Sequence, residues 1–177
     1  MKYRILFWVI VIVLFVSTNL VHAQNKSVYT SLSVKACKEL KAAEGEGTEY
    51  QGDCPGIAGY KLRLLEGDLR QSIDVIAPSK KTYQLKFWNI SGGFSYVGDQ
   101  AEWRVKGKSP VAIIVRFNVS EDPEKTDRRT SYLVIAKITK NEICVTDVLK
   151  PTRSHNFEAR RAADRSAVSP CFRHDSP

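Results

Sequence analysis

Histidine is scarce in this chain of 177 residues: His22, His155 and His174 are the whole supply. Serine or thiol catalysis usually needs an imidazole base beside the nucleophile. Here His155 falls at an expected helix start and His174 in the C-terminal tail, where capping or solvent exposure is the simpler role. Gly93-Phe-Ser-Tyr-Val97 lacks the second glycine of a nucleophile elbow, and no apolar strand directly precedes it. The cysteines contain no C-x-x-C spacing, which argues against a zinc site. Glu44-Gly-Glu-Gly-Thr48 has the glycines of a phosphate loop, but its glutamates would repel an anion. There is no internal repeat and no low-complexity segment. These gaps point away from an enzyme, and no metal or cofactor is expected.

Long apolar runs are also missing. The longest, Ile5 to Val16, follows Lys2 and Arg4 and precedes Val21-His-Ala23. A positive start, a short apolar run and a small-residue end make a secretory signal, and the run is well short of the roughly 20 residues a bilayer requires. Residues 1–23 are therefore read as a signal peptide cleaved near Ala23. Residues 24–177 are read as a single exported α+β domain with no transmembrane segment, periplasmic or secreted. Removing Lys2 and Arg4 lowers the basic count from 27 to 25 and the net charge from +8 to +6. That charge suits an anionic envelope polymer or an acidic envelope protein without choosing between them, and the bases are too scattered to read specific nucleic-acid binding into them.

What is present is a disulfide framework and a set of strands. Cys37, Cys54, Cys144 and Cys171 all follow the signal, and an even number in an exported chain implies two bridges. Of the three connectivities, Cys37–Cys54 with Cys144–Cys171 is favoured, because it staples each end locally and leaves the central strands free to pair. Val34 to Ala43 has helical spacing and predicts a short helix, with Glu44 to Asp53 as a solvent loop. Alternating patterns predict strands over Tyr60–Leu65, Ser72–Val75, Thr82–Phe87, Ala101–Lys106, Pro110–Val119, Tyr132–Thr139 and Ile143–Val148. Asn89 to Gln100 reads as a loop. Asn156 to Ser169 predicts a longer helix capped by Ser154 or Asn156, with Phe157, Ala163 and Ala167 towards one face. The expected fold is α+β: an antiparallel meander of about seven strands, strongly curved or barrel-like, with a short N-terminal and a longer C-terminal helix.

Two stretches stand out as candidate sites. The aromatics Trp88, Phe94 and Tyr96 lie among glycines and are followed by Arg104, Lys106 and Lys108, a combination able to receive an anionic or carbohydrate partner. Glu66-Gly-Asp-Leu-Arg-Gln-Ser72 places Asp68 and Arg70 at a hairpin, as an ion pair that either fixes the turn or meets a ligand. Asp68 and Glu102 are the carboxylates a hydrolase reading would use.

Taken together, Cys54-Pro-Gly, Gly59-Tyr, Glu66 to Ser72, Glu102-Trp, Tyr132 to Ile138, Cys144-Val, Asn156, Ala159-Arg, Ala163-Asp and Cys171 resemble a group of small bacterial exported proteins of unknown function. The resemblance implies a bacterial envelope location and the paired disulfides, and names no activity. Val145 stands where related-looking sequences often carry histidine, a further argument against a histidine-based site. The expected function is a non-catalytic periplasmic or secreted binding module, inhibitor-like in size and stapling. The alternatives are a carboxylate-dependent envelope hydrolase and a passive component held to polyanions by charge.

Overall fold

The structure, a computed structural model, describes residues 25–40, 50–122, 124–125 and 127–172. The expected signal peptide lies outside these residues. Among them, no helix is long and apolar enough to cross a membrane.

Among the described residues, ten strands form one open, mixed sheet: β1 (Lys26–Ser31), β2 (Lys38–Glu39), β3 (Tyr50–Cys54), β4 (Lys61–Gly67), β5 (Arg70–Ile76), β6 (Thr82–Gln84), β7 (Ser95–Lys106), β8 (Ser109–Val119), β9 (Thr130–Ile138) and β10 (Ile143–Leu149). The path runs β10-β9-β8-β7-β5-β4-β3-β2, with β1 added to β7 and β6 added to β5. This overturns the expected antiparallel sheet of about seven strands with two helices. The protein is mostly β, its sheet does not close into a barrel, and a parallel contact between Arg70 and Ser95 joins its two halves.

The departures have local causes. Val34 to Ala43 does not make the predicted helix: Val34–Ala36 is a single 3-10 turn, and Lys38 and Glu39 then pair with Asp53 and Gly52. The Cys37–Cys54 bridge, with its Cα atoms 4.0 Å apart, holds that segment against β3, and this tertiary tie overrides helical propensity. The predicted strand Thr82–Phe87 stops at Gln84, because Lys86 takes a left-handed φ of 49° and Phe87–Asn89 forms a 3-10 turn. The expected loop Asn89–Gln100 is strand from Ser95 onward. Its Gly98 sits in a register shift between Val97 and Ala101, against the Arg116 side chain.

A core of large side chains fills the space between the two halves of the sheet. Leu62, Leu64, Ile73 and Val75 face Trp103, Ile113, Val115, Phe117 and Val134, all buried. Trp103 donates its indole N–H to Thr30 Oγ1 at 2.9 Å, so its one polar atom is satisfied. Strand β8 is apolar on both faces, and its second face is covered by α1 (His155–Arg165), which buries Ala159, Ala162 and Ala163 against Ala112, Ile114, Leu133 and Ile135. Small residues there let the helix lie close to the sheet. Of Phe157, Ala163 and Ala167, expected towards one face, Ala163 is buried while Phe157 and Ala167 are exposed. The bridge Cys144–Cys171 ties the chain after the helix to β10, where the Phe172 N–H also donates to the Val145 carbonyl.

Candidate functional site

The β4–β5 hairpin turns through Asp68 and Leu69, at φ 52° and 55°. Two successive positive φ values suit a two-residue hairpin, but that geometry normally selects Asn-Gly. Leucine is an uncommon occupant of it, and here its side chain is more than half exposed at the tip. The tip is anchored: the Ser95 amide donates to the Leu69 carbonyl at 3.0 Å, and the Val97 amide donates to Gln71 Oε1 at 2.9 Å. Gln71 in turn donates to Glu66 Oε2 at 2.6 Å. The start of β7 is thereby pinned across the hairpin. On its other side the Ser120 amide donates to the Phe94 carbonyl, and a Cβ on Gly93 would stand 2.3 Å from the Ser120 carbonyl oxygen. Only glycine permits that approach.

These segments enclose an open cleft of about 380 Å³, lined by Glu66, Leu69, Gln71 and Arg129 together with Phe94, Ser95, Tyr96 and Ser120. Its rim is apolar: Phe94 is 45% exposed and Tyr96 40%. The Arg129 guanidinium lies 5.1 Å from the centre of the Tyr96 ring, in cation–π range. Deeper in, Ser95 and Ser120 are each more than nine-tenths buried, and among the described residues neither hydroxyl has a hydrogen-bond partner. A buried polar group left unpaired costs about 1–3 kcal/mol; Tyr50 Oη and Asp74 Oδ1 are unpaired elsewhere among the described residues, and all of these atoms are closed to solvent.

The structure thus merges the two stretches singled out in the sequence, the aromatic loop and the hairpin, but keeps only some of their residues. Phe94 and Tyr96 line the cleft, while Trp88 sits half-exposed on the separate Phe87–Asn89 turn. Asp68 and Arg70 pair at 2.6 Å on the hairpin tip beside Leu69. Lys106 is exposed at the β7–β8 hairpin, outside the cleft. Arg104 is not available to a ligand at all. It is buried, and its Nε and Nη2 each donate to Asp164 at 2.8 Å, with further donations to Ser27 Oγ and the Asn25 carbonyl.

Glu102 belongs to the same network, accepting from Arg160 Nε at 2.6 Å and from Ser27. Burial works to raise its carboxyl, but the hydrogen bonds from Arg160 and Ser27 outweigh it and leave the group below its ordinary value. Asp164 follows the same logic, with burial outweighed by Arg104 and Asn25. Glu102 lines a second cavity with Tyr29, Arg116 and Arg160, whereas Asp68 lies at the hairpin tip, so these two carboxylates share no cleft. Asp74 behaves oppositely: burial pushes its carboxyl up to about 6 against the pull of Arg63, whose Nε is already committed to Asp53 at 2.8 Å. His155 is buried, with Nε2 3.0 Å from the Leu149 carbonyl. Glu142, Cys144 and Cys171 lie close enough together to suggest a metal, but both sulfurs are spent in the disulfide.

Sequence reasoning missed Ser120 and Arg129 altogether; Leu69 and Gln71 lie inside the Glu66–Ser72 stretch it singled out for Asp68 and Arg70, and Ser95 was weighed only as a nucleophile and set aside. This chain matches no known protein family, and no curated protein or solved structure is similar enough to it to lend it an identity.

Proposed function

We propose that the protein is a non-catalytic binding module of an exported compartment, and that the Leu69–Phe94–Tyr96 cleft is its binding site. The observation that carries this reading is the group of exposed side chains, Leu69, Phe94 and Tyr96, gathered around one cleft by a hairpin that holds leucine at a left-handed φ. Folding alone gains nothing from leaving three large apolar side chains exposed together, whereas a ligand would cover them. The two disulfides and the signal-like residues 1–23 support export, and the sequence resemblance supports a bacterial envelope. The hydrolase alternative loses support from the separation of Asp68 and Glu102 and from the ion pairs that hold each of them.

Affinity capture tests the proposal. The chain from Gln24 onward, immobilised, is presented with envelope extract of the producing cell beside a Leu69→Asp/Tyr96→Ala double variant of equal melting temperature. Loss of retained partner in the double variant supports the cleft. Equal retention by both proteins sets the cleft aside, and retention by both that collapses at high salt supports the passive polyanion alternative instead.

A further inference from the structure

We infer that the cleft accepts a short neutral glycan, with the apolar face of a sugar ring against Phe94, Tyr96 and Leu69; this rests on the binding-module reading above. Four observations lead there. The lining carries one acid, Glu66, and one base, Arg129, and the adjacent hairpin tip carries the Asp68–Arg70 pair. The charge of the site therefore cancels, although the whole chain is at +8. A polyanion gains nothing from such a site over the rest of the surface.

The apolar part is the exposed Phe94, Tyr96 and Leu69 side chains, while the hydrogen-bonding Glu66 and Gln71 are half-buried. That division matches a molecule with one C–H face and a belt of hydroxyls, which a pyranose has and an apolar peptide side chain has not. Glu66 and Gln71, already bonded to each other, keep spare acceptor capacity, and Arg129 is exposed beside them. Finally, the volume suits a small ligand, a sugar ring and its neighbour, and not a groove running along a polymer.

Titration of the chain from Gln24 onward with neutral tetrasaccharides of glucose and of N-acetylglucosamine, followed by calorimetry and amide chemical shifts, tests the inference. A uronic-acid tetrasaccharide serves as the anionic control. At least one neutral probe should bind, with shifts confined to residues 66–71, 93–97 and 120. Tyr96→Ala should weaken that binding about tenfold. Glu66→Ala should weaken it about three- to tenfold, whereas Ser95→Ala and Ser120→Ala, whose hydroxyls are closed to solvent, should leave it unchanged. Affinity should hold steady between low and high salt.

No binding by any neutral probe overturns the inference, as does preferential, salt-sensitive binding of the uronic-acid probe. If no glycan binds while the Leu69→Asp/Tyr96→Ala variant still loses a captured protein, the glycan fails and the binding module stands. If neither result depends on the cleft, both fail.

Discussion

Two polar regions of this protein are built from similar residues and end in opposite states. Around Arg104, between β1, β7 and α1, the side chains of Ser27, Glu102, Arg160 and Asp164 satisfy one another. In the cleft between the β4–β5 hairpin and the start of β7, two buried hydroxyls have no partner and a leucine holds a left-handed turn. A complete network fixes the N-terminal strand to the helix and has nothing left to offer. An incomplete one costs stability, as the unpartnered Asp74 Oδ1 and Tyr50 Oη also do elsewhere in the sheet. Completion decides which polar groups lock the fold, and exposure decides which groups can meet a ligand.

The largest test of this contrast is Arg104→Ala, which strands Asp164 and removes support from Glu102. It should cost about 3 kcal/mol in urea unfolding, whereas Ser95→Ala with Ser120→Ala should be neutral or stabilising. Similar losses in both would erase the distinction. Acidity sharpens it further. The folded pKa values of Glu102 and Asp164 are depressed, so their contribution is present above the ordinary carboxylate range and is lost as pH falls through the folded values. Asp74 runs the other way: folded, it keeps its proton up to about pH 6, against 3.8 when unfolded, so its cost is relieved as pH falls between those values. Asp74→Asn should therefore raise stability near pH 7 by about 2 kcal/mol and lose that advantage below pH 4, as read from unfolding midpoints across pH.

Leu69→Gly tests the turn. Removing the left-handed penalty should raise stability by about 1 kcal/mol while weakening whatever the cleft binds. A variant that gains stability and keeps its binding would show that Leu69 only closes the hairpin. The smallest effect belongs to Asp68→Ala: its ion pair with Arg70 is exposed, and unfolding should shift by less than about 1 kcal/mol.

Much of the central sheet was legible because alternation of apolar and polar residues is a local property. The strands around Leu62, Ile73, Ile113 and Ile135 stand where that pattern put them. The N-terminal strands were only partly legible: Gln24 to Ser33 reads as a polar lead-in or short edge strand, and Lys26–Ser31 is a strand, whereas Tyr50–Cys54 overturns the end of the expected loop Glu44–Asp53; both are polar and exist because β7 and β4 offer them backbone partners. The same holds for the site. Phe94 and Tyr96 were visible as aromatics among glycines, but Arg104, chosen with them for its charge, is consumed by Asp164 from a helix 60 residues away. Phe157 fits a hydrophobic pattern and yet faces solvent, because the face of α1 that meets β8 and β9 is the alanine face.

By itself, the sequence determined the strand positions of the central sheet and the β8 strand that needed cover on both faces, since these follow from side-chain periodicity, and it favoured one of three disulfide pairings, the one the structure holds. Only the tertiary structure decided that the sheet stays open, that its halves meet at Arg70 and Ser95, and that the hairpin and the aromatic loop form one cleft. Those outcomes depend on pairing between segments distant in the chain, and on which hydrogen bonds remain unmade when that pairing is complete.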